Sequence, residues 1–242
     1  ERLVRARHRN NHPAVREIEI TVAGAKSVCK SFFTFKLPLR IIKESFYKAI
    51  RNSVLNEKAV RYAALAGLAT GCRVAAVSYH DRKNYFYPDL PKGFQITQHE
   101  APLCRNGFLE IPDGEGTKRI GIIQIHLEED AGKSLHGEDG TRIDYNRAGV
   151  PLIEIVSAPD IRTPEEAKAY LSVLRERLVY AGVSDCKMNE GSMRCDVNLS
   201  VRPVGAEDFG NRTEIKNINS IAFVGRAIAY EFARQVKILE EG

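Results

Sequence analysis

Residues 193–202 read Met-Arg-Cys-Asp-Val-Asn-Leu-Ser-Val-Arg. Met193, Cys195, Val197, Leu199 and Val201 alternate without a break with Arg194, Asp196, Asn198, Ser200 and Arg202. An alternation of this length predicts a strand with one face on a core and the other toward water or a ligand. Two further strands are predicted at Ile120–Leu127 and Val150–Val156, where Pro151 suits a sheet edge or a first-residue position. Helices fall between them. Asn56 can cap a helix running through Thr70, with Gly71 as a left-handed stop. Thr163-Pro164-Glu165-Glu166 combines an N-cap, a Pro in the first turn and a capping Glu. Ala167, Leu171, Leu174 and Leu178 then form one apolar stripe, closed by Gly182. A third helix is predicted from just after Asn219 to about Leu239. The pattern is α+β with an antiparallel sheet.

The chain has 242 residues, 43 % hydrophobic and 28 % charged, enough for one large domain or two small ones. No apolar run of about 18 residues argues for a membrane span, and no secretory signal pattern opens the chain. The net charge of +5 is unevenly distributed. Residues 1–53 carry +8, from twelve Lys or Arg against four acids, and residues 54–242 carry −3. A basic arm suits RNA, an anionic membrane or a transit peptide. Within it, Ile18, Ile20 and Val22 alternate as in a strand and residues 41–50 suit a short helix, with no other consistent pattern. Five widely spaced cysteines without a C-x-x-C predict neither a disulfide framework nor a zinc site, and read as buried thiols.

Four segments carry candidate chemistry. The polar side of 193–202 follows Glu190 and Gly191. Its Arg194 and Arg202 forks suit phosphates, and its acid suits Mg²⁺; a solvated, salt-bridged strand face reads equally from these residues. His126-Leu-Glu-Glu-Asp130-Ala-Gly-Lys133 places three carboxylates at a strand end, where they repel unless a cation or basic groups hold them; an acidic turn is the alternative. Gly132-Lys133-Ser134 is not a P-loop, because position 127 is Leu, and His126-Leu-Glu128 lacks the P-C-x-x-C of a zinc deaminase. Glu154 lies inside the apolar Leu152–Val156 run. A buried carboxylate there needs a metal, an Arg, a raised pKa or a structural salt bridge. Lys83–Lys92 packs three aromatics, two prolines and two lysines into ten residues. It suits a loop that stacks a base or ribose, or one that serves as a packed cover.

The stretches KNYFYPDLPKGFQITQ, IGIIQIHLEEDAGKS, DYNRAGVPLIEIVSAPD, GVSDCKMNEGSMRCDVNLSVRP and TEIKNINS together resemble the B subunit family of the tRNA-dependent amidotransferases, from about Val54 to Gly242. The resemblance implies an open antiparallel sheet with helices behind it, a cradle like that of glutamine synthetase. It implies an ATP- and Mg²⁺-dependent ligase of translation. That enzyme phosphorylates the side-chain carboxylate of Glu or Asp mischarged on tRNA, and ammonia from an amidase A subunit then displaces phosphate. A small C subunit completes the heterotrimer. A cytoplasmic, bacterial-type protein with no membrane partner is implied, an organellar one being left open.

The resemblance assigns Mg²⁺ to Glu129 and Glu154. It gives supporting roles to Glu128, Asp130 and Lys133, and sets Glu190, Arg194, Asp196, Asn198 and Lys216 along the nucleotide and acyl-phosphate region. Lys83, Tyr85, Lys92 and Arg202 stand as nucleotide-binding candidates. Strict alternation instead groups Glu128 with His126, so a role for Glu129 as ligand predicts that the strand ends or bulges there. Residues 1–53 depart from the family. Its GLEVHVEL strand and paired zinc cysteines are missing there, so the segment reads as divergent, foreign or frame-shifted. The helical and tRNA-binding tail domains are expected to be absent, leaving residues 54–242 as part of the catalytic domain with weak activity alone. A non-catalytic tRNA or subunit-docking module is the alternative reading, and a small-molecule ligase like glutamine synthetase a third.

Overall fold

The structure, a computed structural model, describes residues 17–21, 34–38 and 55–241. The Asn56 side chain accepts from the Lys58 and Ala59 amides at 2.9 and 3.2 Å and starts α1 (Glu57–Ala69), which Gly71 ends at a φ of +66°. Thr163 Oγ1 accepts from the Glu166 amide at 3.1 Å at the head of α2 (Pro164–Tyr180). Glu166 reaches one residue further back than a capping box would take it, accepting from the Arg162 amide at 2.7 Å. Ser220 Oγ accepts from the Phe223 amide and opens α3 (Ile221–Glu241).

The strands are β1 (Glu17–Thr21), β2 (Thr34–Pro38), β3 (Arg73–Val74), β4 (Asp81–Asn84), β5 (Phe94–Thr97), β6 (Cys104–Asp113), β7 (Gly116–Glu129), β8 (Lys133–Gly137), β9 (Gly140–Asp144), β10 (Pro151–Ser157), β11 (Arg194–Arg202) and β12 (Thr213–Ile218). Eight of them form one antiparallel sheet in the order β1-β11-β2-β10-β7-β6-β3, with β12 also paired to β11. β4–β5 and β8–β9 are separate hairpins. The alternation at Ile18 and Ile20 falls in β1, whereas the helix expected over 41–50 and Cys29 lie outside the described residues. Pro151 is a first residue, as expected, but its strand is interior, flanked by β7 and β2.

Ile125, Leu127, Ile153, Ile155, Cys195, Val197, Leu199 and Val201 share one face and join a single core with Ala63, Tyr170, Leu171, Leu174, Val224 and Ile228 of the helices. Each large apolar side chain buried there contributes about 1.5–3 kcal/mol. The four described cysteines are buried free thiols, as the spacing predicts. Burial and the neighbouring Cys72 push Cys104 up to about 12, and burial raises Cys195 too. On the polar side of β11, expected to face water or a ligand, Asn198 and Ser200 are buried.

The α3 helix is fastened to the sheet by polar contacts as well as by packing. Glu231 Oε1 accepts from Thr213 Oγ1 at 2.8 Å and Gln235 Nε2 at 2.9 Å. Gln235 also donates to the Leu199 carbonyl at 3.1 Å. The Arg234 guanidinium donates to both Glu231 oxygens and holds that carboxyl down at about 2 against the opposing effect of burial, with Gln235 and Thr213 assisting.

This packing makes two positions testable. At Gly107 an added Cβ would meet the Thr70 carbonyl oxygen at 2.6 Å and the Cys72 amide at 3.1 Å, both rigid backbone. Gly107→Ala is expected to lose about 1–3 kcal/mol in urea unfolding. Gly116→Ala, whose nearest neighbour lies at 3.7 Å, stays within about 0.5 kcal/mol of the parent. The lowered Glu231 carboxyl stabilises the fold fully above its ordinary value of 4.5, and that contribution fades as pH falls toward 2. The stability gap between the parent and Glu231→Gln should therefore shrink over that window; a gap independent of pH contradicts the assignment.

Candidate functional site

The β7–β10 ladder pairs His126 with Glu154 and Glu128 with Leu152. Because strand side chains alternate, Ile125, Leu127, Ile153 and Ile155 point to the core while Gln124, His126, Glu128 and Glu154 share the opposite face. There His126 Nε2 lies 3.5 Å from Glu128 Oε1 and 3.6 Å from Glu154 Oε2. One ligand atom from each residue falls within 4.8 Å of the other two. All three are buried, Glu154 at 3 % exposure, His126 at 5 % and Glu128 at 8 %.

Hairpin β4–β5 supplies a second layer. Thr97 Oγ1 donates to Glu128 Oε1 at 2.9 Å and Gln95 Nε2 to Glu128 Oε2 at 3.2 Å, so both carboxylate oxygens are oriented. Gln95 also donates to the Glu129 carbonyl at 2.6 Å, and Gln98 Oε1 accepts from the Leu127 amide at 3.0 Å. The Gln124 side-chain amide meets His126 Nδ1 at 3.3 Å, which directs Nε2 toward the two carboxylates. A glutamine amide presents either its NH₂ or its carbonyl to a ring nitrogen, so Gln124 accommodates either tautomer.

This geometry brings Glu128, rather than the expected Glu129, beside Glu154 and His126. The ladder runs in regular register through Glu129, with its irregularity at Val156/Ser157 instead. Alternation therefore turns Glu129 away from the cluster, where it takes Lys92 Nζ on both oxygens and the Ile96 amide at 2.8 Å. Glu128, expected to support, stands in the cluster itself. Asp130 and Arg194 are brought together as an ion pair, joined by Arg147 Nε at 3.3 Å. Arg147 also donates to the Ala131 and Gly132 carbonyls, tying the turn after β7 to the segment before β10.

Other expected residues lie elsewhere. Lys133 is exposed at the head of the β8–β9 hairpin, Glu190 pairs with Lys187 at 3.0 Å on a 3₁₀ turn, and Lys216 pairs with Glu214 at 3.2 Å on β12. Asp196 and Asn198 follow Arg194 along the same side of β11. Arg202 ends that strand eight residues away, roughly 26 Å along it, and stacks over Phe209. Lys83 and Tyr85 sit on or beside β4, with Lys83 Nζ 5.9 Å from the Tyr85 ring centre. Sequence reasoning left His126, Arg147, Gln95 and Thr97 out of the site. The period-two spacing of Gln124, His126 and Glu128 is the signal that finds the first, and the alternation Phe94-Gln95-Ile96-Thr97 pairs Gln95 with Thr97; nothing local marks Arg147.

Two carboxylates this close repel, and a cation between the three side chains would offset that repulsion. The donor set fits a divalent cation: carboxylate oxygens suit Mg²⁺, and an imidazole nitrogen admits Mn²⁺ or Zn²⁺ as well.

Comparison with known proteins places this arrangement in context. Residues 51–242 match the family described as the GatB/GatE catalytic domain. The chain is 62 % identical over 190 residues to the B subunit of the aspartyl/glutamyl-tRNA(Asn/Gln) amidotransferase from Caldanaerobacter subterraneus subsp. tengcongensis. It is 60 % and 58 % identical over 191 residues to proteins of the same name from Caldicellulosiruptor saccharolyticus and Nitratidesulfovibrio vulgaris. Each alignment covers 78 % of this chain and 40 % of the relative, so the chain spans well under half the length of the curated relatives it matches. β1 and β2 precede the matched residues. The match takes in every residue of the buried cluster, its hydrogen-bonding layer and the helices behind the sheet, and this chain therefore belongs to the GatB/GatE catalytic domain family.

Proposed function

We propose that residues 54–242 are part of the catalytic cradle of an amidotransferase acting on mischarged Glu-tRNA(Gln), Asp-tRNA(Asn) or both. The observation that carries this reading is the buried His126–Glu128–Glu154 group at the centre of the matched segment. In the proposed reaction a side-chain carboxylate oxygen of the aminoacyl group attacks the γ-phosphorus of ATP and ADP leaves. Ammonia then adds to the acyl carbon and inorganic phosphate departs, giving the amide. Ammonia is supplied by an amidase A subunit, with a small C subunit completing the assembly, in the cytoplasm of a bacterial-type cell. Among the described residues no helix is long and apolar enough to cross a membrane.

His126, Glu128 and Glu154 would hold Mg²⁺, which when bound offsets charge on phosphate oxygens. The chain's own groups do the positioning. Thr97 and Gln95 fix the Glu128 carboxylate, and Gln124 fixes the imidazole. Asp130 holds the forks of Arg194 and Arg147 at the same end of the sheet, where a guanidinium edge beyond the ion pair suits a phosphate. Phosphoryl transfer asks for placement and charge compensation rather than a protein nucleophile, and these residues offer both.

Two measurements test this reading. In Mn²⁺ titrations followed by electron paramagnetic resonance, Glu154→Gln and Glu128→Gln should each weaken binding at least about tenfold. Glu129→Gln should leave it unchanged; an equal loss there reverses the ligand assignment. With A and C subunits of a relative added, Gln-tRNA formation from Glu-tRNA(Gln) and ATP should fall at least about 100-fold in Glu154→Gln and stop on chelation of the metal. Turnover indifferent to Glu154→Gln overturns the function.

A further inference from the structure

The turn between β4 and β5 leaves its aromatic surface in solvent. Phe86 is 92 % exposed and Tyr87 58 %, although burying a side chain such as Phe contributes about 1.5–3 kcal/mol. Loose chain does not explain the exposure, because the turn is held at many points. Leu90 is buried beneath it, and the Leu90 and Gly93 amides donate to the Tyr87 and Leu90 carbonyls at 3.0 Å each. The Pro88 carbonyl accepts from the Tyr145 hydroxyl at 2.7 Å and the Asp89 carbonyl from the Gly132 amide at 2.7 Å. Lys92 is tied to Glu129.

The Phe86 ring rests with one side on Gly93, where φ is +71° and an added Cβ would meet ring atom Cε1 at 3.0 Å. Its other side is open. Phe86, Tyr87, Pro88, Pro91 and Lys92 border a shallow, open depression. Lys83, exposed, stands opposite Gln95 in the β4–β5 ladder, on the side that carries Gln95 and Thr97 onto Glu128. Asp89 is the sole acid between Tyr85 and Gly93, and it is half-buried.

We propose that Phe86 and Tyr87 form a stacking platform for an unpaired base of single-stranded RNA, with the adjoining phosphate on Lys83. An open aromatic surface on a well-held turn, with an exposed lysine on the same hairpin, is a combination that unpaired RNA bases use. A mononucleotide site would enclose its ligand on most sides, and this platform covers one ring face only. Lys92 does not anchor the phosphate, since Glu129 already holds it. The proposal rests on the RNA-linked reading above and places the RNA strand on the hairpin that orients Glu128.

The chain contains no Trp, so Phe86→Trp creates a sole indole reporter at the platform. Because the side chain is almost wholly exposed, the substitution should leave the thermal midpoint unchanged. Short single-stranded oligoadenylate should quench its emission; a blunt RNA duplex and ATP at the same nucleotide concentration should not. In anisotropy titrations with labelled oligoadenylate, Tyr87→Ala should weaken binding about 5- to 150-fold, the range spanned by one stacked base. Lys83→Ala should lower the slope of log affinity against log salt by about 0.7. Absence of quenching, quenching by ATP as strong as by the oligomer, or unchanged affinity in both Phe86→Ala and Tyr87→Ala overturns the platform. None of these results moves the Mn²⁺ titration of the Glu154 and Glu128 variants, so the two readings fail separately.

Discussion

Glu154 lies directly across from His126 in the β7–β10 ladder, and the period of two in a strand lets that one pairing sort every neighbour. Ile153 and Ile155 are committed to the core by the same geometry that gathers Glu154, His126 and Glu128 on the other face. A slip of one residue would bury acids among the helices and expose isoleucines, so the apolar core enforces the register on which the site depends. The polar cluster could not select that register alone, because burying carboxylates is costly. It is carried at its position by the packing of Ile125, Leu127, Ile153 and Ile155 behind it.

Three consecutive acids at the end of β7 would repel if they shared one environment. The fold sends them three ways. Glu128 enters the cluster under Gln95 and Thr97, Glu129 turns to Lys92, and Asp130, just past the strand, meets Arg194 and Arg147. Alternation separates the first two and the strand's end separates the third. Each carboxylate then has its own set of hydrogen-bond donors, and only Glu128 is left facing another acid.

Where local chemistry decides structure, the residues announce it. Asn56, Thr163 and Gly71 cap and stop helices as their side chains dictate, and the alternation at 194–202 is a strand over nearly its whole predicted span. The buried state of Asn198 and Ser200 is not legible in the sequence, since alternation tells faces apart but not what covers them. Choosing between Glu128 and Glu129 needs the partner strand. Alternation groups Glu128 with His126, whereas the family resemblance favours Glu129, and only the register against β10 places one of them beside Glu154. Arg147 and Gln95 lie 17 and 33 positions from Asp130 and Glu128 along the chain. Gln95 lies on the polar side of the short alternation Phe94-Gln95-Ile96-Thr97, which does not say what that side meets, and Arg147 sits in no such pattern.

The far end of β7 has one more property. β6 stops pairing with it at Ile125, which would leave the last residues of the strand with bare backbone groups along one edge. Gln98 takes the Leu127 amide and Gln95 gives a hydrogen to the Glu129 carbonyl, so two side-chain amides stand in for a missing strand. Unpaired strand edges invite other chains to add to the sheet, and this one is closed by groups that cannot themselves be extended. The glutamines that hold the site in shape thereby also close the sheet edge that β6 leaves open.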